Sequence, residues 1–322
     1  MERLQGRCYM QKRVIIVGSG PAGYTAAIYL ARAGLSPCLI TGTEVGGQLI
    51  QTSSIENWPG AFNYPSGFEL MDSLEKHVRQ LDVEIINDTV QRTDFSTSPY
   101  LLIGESDSYT ADAVIIATGS SAKYLGLESE NRFIGSGISA CATCDGFFYR
   151  NKEVAVIGGG NTAITDAIYL AGICKKVNLI HRRDTFRAEK VLTDKIMALA
   201  EEGKIVLHLD SVPVEFMGED HLEGLTVKNT KTEGMKYIAV DGVFVAIGHK
   251  PNTDFIDPVI DMHNGYIITN RKPYSRTSTN VPGIFAAGDV ADEIYQQAIT
   301  SAATGCMAAL DAEKYLNSLS AD

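Results

Sequence analysis

The chain has no apolar run long enough to cross a membrane. Its apolar segments, such as Val14–Val17 and Val114–Ala117, are of strand length and are interrupted by glycine, whereas a membrane helix needs roughly 18 continuous apolar residues. The stretch Met1–Arg13 also lacks the apolar core of a secretory signal. We therefore expect a cytoplasmic protein that does not associate with membranes.

Positive charge is scarce. The sequence has 28 Lys and Arg against 39 Asp and Glu, a formal net charge of −11. Affinity for nucleic acids depends on clustered basic side chains that displace counterions, so we expect no nucleic-acid partner. With 322 residues, of which 45% are hydrophobic, the chain is long enough for two domains that each bury a core.

Cysteine is also scarce, and only one pair has a spacing that suggests chemistry. Of the six cysteines, Cys141 and Cys144 stand three apart. No second Cys or His pair with zinc-ligand spacing accompanies them, so no metal site is expected. The other four are isolated and predicted to be small buried hydrophobic residues, with Cys8 as a candidate for exposure; they are Cys8, Cys38, Cys174 and Cys306.

Two strand–turn–helix units rich in glycine are present. The first comprises a strand at Val14–Val17, a glycine turn, a helix over Tyr24–Ala33 and a second strand at Pro37–Thr41. Such a turn brings backbone amides to a helix N-terminus, where they bind a dinucleotide pyrophosphate. The turn residues predicted to lie at the cofactor are Gly18, Gly20, Pro21, Ala22 and Gly23. The carboxylate that usually ends the second strand is missing, since Thr41 and Gly42 stand there and Glu44 is the nearest acid.

The second unit has the same order, with strands at Val154–Ile157 and Val177–Ile180 around a helix that ends at Ala171. Its predicted cofactor residues are Gly158, Gly160, Asn161, Thr162 and Ala163. After its second strand come basic residues instead of a carboxylate, namely His181, Arg182, Arg183 and Arg187. Arginine pairs well with a 2′-phosphate, so this unit is predicted to bind NADP rather than NAD. The alternative is a solvated basic turn.

The Cys141–Cys144 pair is predicted to be redox-active. Two cysteines at this spacing can close a small disulfide, and a helix start stabilises the thiolate. An inert pair of buried thiols is the alternative. Asp145 could exchange protons with the pair or cap a helix or turn, and its position leaves both open. Asp289, in a Gly288-Asp289 turn, offers a carboxylate to a ribitol or ribose hydroxyl.

The remaining segments complete two domains. Buried strands are predicted at Ala113–Thr118 and Val243–Ile247, and Gly283–Asp289 contains a further short strand. Short alternating runs from Ile205 to Val240 favour an antiparallel meander. An alanine-rich helix is predicted from about Gln297 to Leu316.

These motifs, in this order, resemble the low-molecular-weight thioredoxin reductases, a family of flavoprotein pyridine nucleotide-disulfide oxidoreductases. The resemblance runs from about Lys12 to the end, and its most specific element is CATCDG just before the second glycine turn. The matching segments include Gly18–Gly23, Gly46–Gln48, Glu56–Gly60, Ala117–Gly119, Cys141–Gly146, Gly158–Ala163, His181–Arg183, Ala246–Gly248 and Ala287–Asp289.

The resemblance implies an α/β homodimer with two Rossmann-like three-layer domains. Residues 1–120 and 250–322 would form a discontinuous FAD domain, and residues 123–247 an inserted NADPH domain that carries the cysteines. Electrons would pass from NADPH through FAD and the cysteine pair to thioredoxin, with Cys144 nearest the flavin and Cys141 attacking the partner disulfide. Further cofactor contacts that the resemblance implies are Thr41, Gly42, Glu44, Gly46, Gly47, Gln48, Asn57, Ala117, Thr118, Gly119, Gly248, Gly288, Asp289, Gln296, Gln297 and Ala298.

This sequence departs from the family pattern at two places. Thr165 and Asp166 stand where a Glu-Glu pair is common, and Gln296 stands where many members have arginine. Three alternatives remain: a flavin-dependent dithiol oxidase, a reductase of another small thiol carrier, and a nucleotide-sensing module with an idle cysteine pair. The basic residues after the second unit argue against the oxidase, which needs no NADPH.

Overall fold

The computed structural model describes residues 10–52, 55, 57–64 and 66–319. The expectations for residues 1–9, including Cys8, and for Glu56 lie outside this set. The chain folds into two compact units. One combines the chain up to Ser121 with the chain from Lys250 onward, and the other spans Ala122–His249.

The first part of the chain builds most of one mixed sheet. Its elements are β1 (Met10–Val17), α1 (Pro21–Arg32), β2 (Cys38–Ile40), α2 (Gly67–Gln80), β3 (Glu84–Ile86), β4 (Val90–Asp94), β5 (Tyr100–Gly104), β6 (Ser108–Ile116) and β7 (Ser120–Ala122). Short 3-10 helices occupy Gln48–Gln51 and Ala61–Asn63. The strand order is β3-β2-β1-β6-β5-β4, in which β3, β2, β1 and β6 are parallel and β5 and β4 continue antiparallel.

The middle of the chain forms the second unit around a parallel sheet. Its elements are α3 (Glu128–Asn131), β8 (Ile138–Ser139), α4 (Ala142–Asp145), β9 (Glu153–Ile157), α5 (Asn161–Ala171), β10 (Lys176–Ile180), α6 (Lys190–Glu201), β11 (Ile205–His208), β12 (Ser211–Met217), β13 (Gly224–Asn229), β14 (Met235–Ala239) and β15 (Gly242–Val245). The sheet order is β11-β10-β9-β15-β8, and β12, β13 and β14 form a separate antiparallel sheet.

The last part of the chain returns to the first unit. It contains β16 (His249–Pro251), β17 (Met262–His263), β18 (Tyr266–Ile267), β19 (Ile284–Ala286) and α7 (Ala298–Leu319). β19 adds to the first sheet parallel to β6, while β16 pairs with β7 and β17 with β18. Both units therefore alternate helices with parallel strands, which confirms the predicted α/β class.

The first sheet is covered on both faces, which explains why β1 reads as a continuous apolar run. Side chains alternate between the faces of a strand. Val14 and Ile16 pack with Leu30 of α1 and Leu316 of α7. Ile15 and Val17 belong to a second cluster on the other face.

One predicted feature was wrong. The strand at Ile205–His208 belongs to the parallel sheet beside β10 and not to an antiparallel meander; the meander begins only at Ser211. The reason is connectivity, because α6 separates β10 from β11 and a strand that follows a crossover helix joins its sheet parallel. Alternation along a short strand does not reveal its partner.

The isolated cysteines follow the prediction only in part. Cys38 is fully buried in β2, whereas Cys174 and Cys306 are half-buried. Among the described residues, no helix is both long and apolar enough to cross a membrane.

The packing of α7 against α1 predicts the effect of a single methyl group. A Cβ on Gly305 of α7 would lie 2.2 Å from the carbonyl oxygen of Ala22 in α1. Alanine normally favours a helix over glycine by about 1 kcal/mol, but here overpacking outweighs that gain. We expect Gly305→Ala to lower the free energy of unfolding by about 2 kcal/mol, measured by urea denaturation.

The matched control is Ala303→Gly, at an exposed position of the same helix. It should cost only about 1 kcal/mol through helix propensity. A Gly305→Ala protein as stable as the unmodified chain would contradict the close packing of α1 against α7.

Candidate active site

Four loops of the first unit meet at the carboxyl edge of its parallel sheet. Gly18 follows β1, Thr41 follows β2, Ala117 follows β6 and Ala287 follows β19. Backbone hydrogen bonds join them: the Gly18 amide donates to Ile40 (2.8 Å), the Ala117 amide to Val17 (2.8 Å) and the Ala287 amide to Ile116 (2.9 Å). In open α/β sheets, ligands bind outside the carboxyl ends of the strands at the point where the strand order reverses. Here that point lies between β1 and β6.

The three glycines of the first turn have different surroundings. Gly18 has φ +111°, and a Cβ there would lie 2.3 Å from the Ala117 carbonyl oxygen. A Cβ on Gly23 would lie 1.8 Å from the Gly18 oxygen, so α1 packs directly on the turn. At Gly20 a Cβ would meet nothing within 4 Å. Gly20 therefore faces open space in front of α1, which begins at Pro21.

Ser19 is a functional candidate that the sequence analysis missed. Its side chain is 2% exposed, and its Oγ donates to the Thr41 carbonyl (3.0 Å) and accepts from the Gly46 amide (3.1 Å). The hydroxyl thus ties the glycine turn to the segment after β2. A Cβ on Gly47 would lie 3.1 Å from the Cα of Gly20, so the two segments touch. The signal in the sequence that could have identified Ser19 is a polar residue between two glycines of the motif.

The other predicted contacts of this unit are less uniform. Thr41 and Gly46 are buried, whereas Glu44, Gln48 and Asn57 are exposed. The Glu44 carboxylate accepts from the side chain of Gln51 (3.2 Å). Of these five residues, only Thr41 and Gly46 are therefore buried at the carboxyl edge of the sheet.

Asp289 is a shielded carboxylate at the same edge. Its Oδ1 accepts from the hydroxyl of Ser301 in α7 (2.8 Å). Burial raises the pKa of Asp289 to about 6, although the Ser301 hydrogen bond lowers it. A carboxyl group in this setting is suited to a ligand hydroxyl that donates a hydrogen bond to it.

Gln296 lies in a strained turn before α7. Its φ is +48°, which is uncommon for a residue other than glycine. Its Nε2 donates to the Tyr266 hydroxyl (3.1 Å), and its amide donates to the Asp292 carboxylate (3.3 Å). Gln297 follows, with its amide donating to the Thr300 hydroxyl (3.3 Å), and α7 begins at Ala298. The neutral side chain is thus held by polar contacts at the position where many members of the family have arginine.

Thr118 and Gly119 lead out of the first unit's edge. The Thr118 hydroxyl donates to the Asn252 carbonyl (2.8 Å), and the Asn252 side-chain amide donates to the Thr118 carbonyl (2.9 Å). The Gly119 carbonyl accepts from the Asn252 amide (3.0 Å). Asn252 therefore fastens both predicted residues, and the sequence offered no motif that pointed to it.

The second glycine turn repeats the first with one substitution. Gly158 has φ +151°, and a Cβ there would lie 2.4 Å from the Ala246 carbonyl oxygen and 2.6 Å from the Cβ of Ala163. At Gly160 a Cβ would meet nothing within 4 Å, and α5 begins at the next residue. Ala163, in place of a third glycine, is fully buried; Asn161 and Thr162 are exposed, as is Gly248 beyond β15.

The basic loop follows β10. Arg182, Arg183 and Arg187 are exposed, whereas His181 is buried. In the described part of the chain none of these three arginines is ion-paired with a carboxylate. Asp184 lies among them in sequence but forms its ion pair with Lys231 (3.0 Å). It therefore does not neutralise the positive charge of the three arginines.

A disulfide joins Cys141 and Cys144, whose Cα atoms are 5.3 Å apart. Both residues are half-buried. Cys141 caps the single-turn helix α4, and its Sγ accepts from the Cys144 amide (3.2 Å). The Cys141 amide donates to the Ser139 hydroxyl (3.0 Å). The predicted pair is therefore a disulfide held by its own local backbone.

Asp145 directly follows Cys144 and is half-buried. Cys141 caps α4, and in the described residues the Asp145 side chain makes no capping bond to the 3-10 helix Gly146–Tyr149. Burial raises the pKa of Asp145, and a hydrogen bond with Ser139 partly opposes that shift. A raised pKa favours a carboxyl group that holds a proton closer to neutral pH.

The comparisons with known proteins agree with this geometry. The model of the pyridine nucleotide-disulphide oxidoreductase family matches residues 12–305. The chain belongs to this family. A thioredoxin reductase of Buchnera aphidicola subsp. Schizaphis graminum is 53% identical over 315 residues, which is 96% of this chain and 98% of the relative. The resemblance predicted from the motifs is thereby confirmed.

Two further comparisons describe the range of relatives. A solved thioredoxin reductase from Streptococcus pyogenes has a TM-score of 0.87 and 37% identity, and the match covers 97% of this chain and 100% of that one. A glucosaminate ammonia-lyase of Pseudomonas fluorescens is 54% identical over 309 residues, 95% of this chain and 96% of the relative. Sequence identity alone therefore does not separate a thioredoxin reductase from a glucosaminate ammonia-lyase.

Asp166 in α5 predicts a pH-dependent stability. Burial raises its pKa to about 6 from an ordinary value of 3.8, so the folded state binds the proton more tightly than the unfolded state does. Ionisation then costs stability, and the cost is absent below about pH 4, grows between about pH 4 and pH 6 and is complete above. Two pKa units correspond to about 2 to 3 kcal/mol.

We expect Asp166→Asn to raise the free energy of unfolding by about 2 kcal/mol at pH 8 and by nearly nothing at pH 4. Urea denaturation across this range checks it. Asp194→Asn, at an exposed carboxylate of α6, is the control and should change stability by less than about 0.5 kcal/mol. An Asp166→Asn effect that is equal at both pH values would refute this account.

Proposed function

We propose that the protein is a thioredoxin reductase, which passes electrons from NADPH through FAD and the Cys141–Cys144 disulfide to the disulfide of oxidised thioredoxin. The observation that carries this proposal is the disulfide itself, which lies between β8 and β9, directly ahead of the second glycine turn. A protein with two dinucleotide-type turns and a disulfide of this kind has a source and an acceptor of electrons in one chain.

The first unit has features that suit FAD. Gly20 leaves room for a pyrophosphate in front of α1, where backbone amides at the helix start favour an anion. Asp289 offers a shielded carboxylate to a hydroxyl of the ribityl chain. We assign to FAD the residues Gly18, Gly20, Pro21, Ala22, Gly23, Thr41, Gly42, Glu44, Gly46, Gly47, Gln48, Asn57, Ala117, Thr118, Gly119, Gly288, Asp289, Gln296, Gln297 and Ala298.

The second unit has features that suit NADPH. Gly160 leaves the corresponding room in front of α5. The three exposed arginines of the loop after β10 carry guanidinium groups that pair with a 2′-phosphate. We assign to NADPH the residues Gly158, Gly160, Asn161, Thr162, Ala163, Arg182, Arg183, Arg187 and Gly248, with His181 at the start of the loop.

The protein's own groups perform the disulfide chemistry. Bound FAD, reduced by NADPH, would supply the two electrons that a disulfide needs for reduction. Reduction of the pair leaves two thiols at Cys141 and Cys144. The Cys141 thiolate then attacks the disulfide of thioredoxin, and the Cys144 thiolate resolves the mixed disulfide, which releases reduced thioredoxin and restores the Cys141–Cys144 bond. Asp145 accepts the proton that the attacking thiol loses and returns a proton to the thiolate that leaves.

The surface next to the pair supports a protein substrate. Phe147 and Phe148 follow Cys144 with Asp145 and Gly146 between, and they are 52% and 38% exposed. Exposed aromatic residues beside a reactive group are typical of a protein-binding surface.

The proposal also includes a homodimer and a cytoplasmic location. Exposed apolar side chains on α1 and α7, such as Tyr29, Met307 and Leu310, support the dimer.

The competing functions make different demands. Elimination of ammonia from an amino sugar acid transfers no net electrons to another molecule, so it gives no role to a disulfide or to the arginine loop. A dithiol oxidase would use oxygen and would not need a 2′-phosphate site. A reductase of another thiol carrier would share every feature above and differ only in its partner.

NADPH oxidation by the purified flavin-loaded protein tests the proposal. We expect consumption that requires oxidised thioredoxin. Cys141→Ser and Cys144→Ser should each reduce it at least about 100-fold, because each removes a covalent step, while NADPH still bleaches the flavin. Ser139→Thr, which keeps the hydroxyl beside the pair, is the matched control and should retain most of the activity.

Each other outcome points to a different function. Turnover that survives in both cysteine variants would refute the relay. Flavin reduction without thioredoxin turnover favours another thiol carrier, thiol-driven oxygen consumption favours the oxidase, and release of ammonia from glucosaminate favours the lyase.

The arginine loop predicts the nucleotide preference. Removing one guanidinium that pairs with a phosphate costs about 1.5 to 3 kcal/mol, so Arg182→Ala, Arg183→Ala and Arg187→Ala should each weaken NADP+ binding by roughly 10-fold or more. NAD+ lacks the 2′-phosphate and should bind the variants as it binds the unmodified protein. Calorimetric titration with both nucleotides checks this, and equal losses for the two would contradict a 2′-phosphate site.

A further inference from the structure

His181 does not share the exposure of the arginines that follow it. Its side chain is 4% exposed, and its ring stacks on Phe186 with a centroid distance of 5.4 Å and an interplanar angle of 28°. Its Nε2 lies 3.0 Å from the carbonyl oxygen of Thr185. Because a carbonyl only accepts, Nε2 carries the hydrogen. The ring therefore packs against the inner side of the arginine loop, and its Nε2–H donates to the Thr185 carbonyl rather than to a ligand.

The other side of the ring meets the glycine turn. A Cβ on Gly159 would lie 2.2 Å from both Cε1 and Nδ1 of His181, so the imidazole fills the place of a side chain at Gly159. The φ of Gly159 lies outside the left-handed region. Glycine is therefore needed here for the ring and not for the backbone. The sequence motif drew attention to Gly158 and Gly160 and gave no reason for the glycine between them.

Backbone bonds reinforce the same junction. The Arg187 amide donates to the Gly159 carbonyl (2.8 Å). Two residues further on, the Glu189 amide donates to Oδ1 of Asn161 (2.8 Å), and Nδ2 of Asn161 donates to the Glu189 carboxylate (3.2 Å). These bonds connect the C-terminal end of the arginine loop to the glycine turn, and the ring of His181 contacts the turn from the start of the loop.

The charge around the ring favours its neutral form. Burial lowers the pKa of His181, and the nearby charges of Arg183, Arg187 and Arg182 lower it further, while the Thr185 hydrogen bond raises it. A cationic ring would add to the positive charge of the loop but is disfavoured inside it. The imidazole consequently acts as a neutral, rigid spacer with one N–H donor.

We propose that His181 is a positioning residue that holds the glycine turn and the arginine loop in one arrangement, and that the preference for NADPH over NADH depends on it without contact between the ring and the 2′-phosphate. The inference rests on the proposed NADPH site. A loop held in its binding geometry loses less conformational freedom when the phosphate binds, and NADH gains little from this because it presents no 2′-phosphate to the arginines.

The test is calorimetric titration of the flavin-loaded protein with NADP+ and with NAD+. His181→Ala should weaken NADP+ binding by about 10-fold, which corresponds to the loss of a hydrogen bond and of loop order, and NAD+ binding by less than about 3-fold. His208→Ala is the matched control. His208 is a buried histidine at the end of the neighbouring strand β11, and its Nε2 lies 3.0 Å from Oδ1 of Asn178. That variant should lower the melting temperature without changing the ratio of the two affinities.

A second variant tests the contact without removing the imidazole. Gly159→Ala forces the ring out of place and should reproduce the loss of NADP+ preference. In the Gly159→Ala/His181→Ala double variant the added methyl group has room, so NADP+ affinity should be no lower than with His181→Ala alone. If the effects of the two substitutions instead multiply, or if the His181→Ala protein keeps the affinity ratio, the positioning role is wrong.

The unmodified protein separates this inference from the proposed function. If it binds NADP+ no better than NAD+, the NADPH assignment itself fails and the inference falls with it. If it prefers NADP+ but neither Gly159→Ala nor His181→Ala changes that preference, only the inference fails.

Discussion

The constraint on which both units depend is the close approach of a strand-end carbonyl to the first glycine of each turn. In the first unit the Ala117 oxygen occupies the place of a Cβ on Gly18, and in the second the Ala246 oxygen does the same at Gly158. Any side chain at either position would push apart two neighbouring parallel strands. The approach lets the helix begin directly at the sheet edge, where its free amides face the binding side.

What surrounds these turns differs between the units and gives each its chemistry. In the first, Ser19 and Asp289 are shielded polar groups that organise the loops and offer a carboxylate. In the second unit, His181 packs the arginine loop against the glycine turn, and the disulfide precedes β9. The same backbone arrangement therefore occurs in both units, with different polar groups around it.

The departures from the family pattern fall at polar positions near the sites. Asp166 is shorter than the glutamate common there and is sufficiently shielded that its pKa rises to about 6. Gln296 removes a charge but is retained by Tyr266 and Asp292. Both are consistent with local adjustments within an unchanged α/β framework, since the solved relative from Streptococcus pyogenes matches with a TM-score of 0.87.

The sequence by itself determined the α/β class, the two glycine turns, the family and the pairing of Cys141 with Cys144, because each depends on local spacing and on residues with unusual backbone freedom or reactivity. Only the tertiary structure decided that β11 joins a parallel sheet, that Ser19 and Asn252 fasten loops far apart in sequence, and that His181 is enclosed while its neighbours are exposed. Partner strands, buried hydrogen bonds and the room beside a glycine depend on which distant segments meet in space, and a local pattern does not encode that.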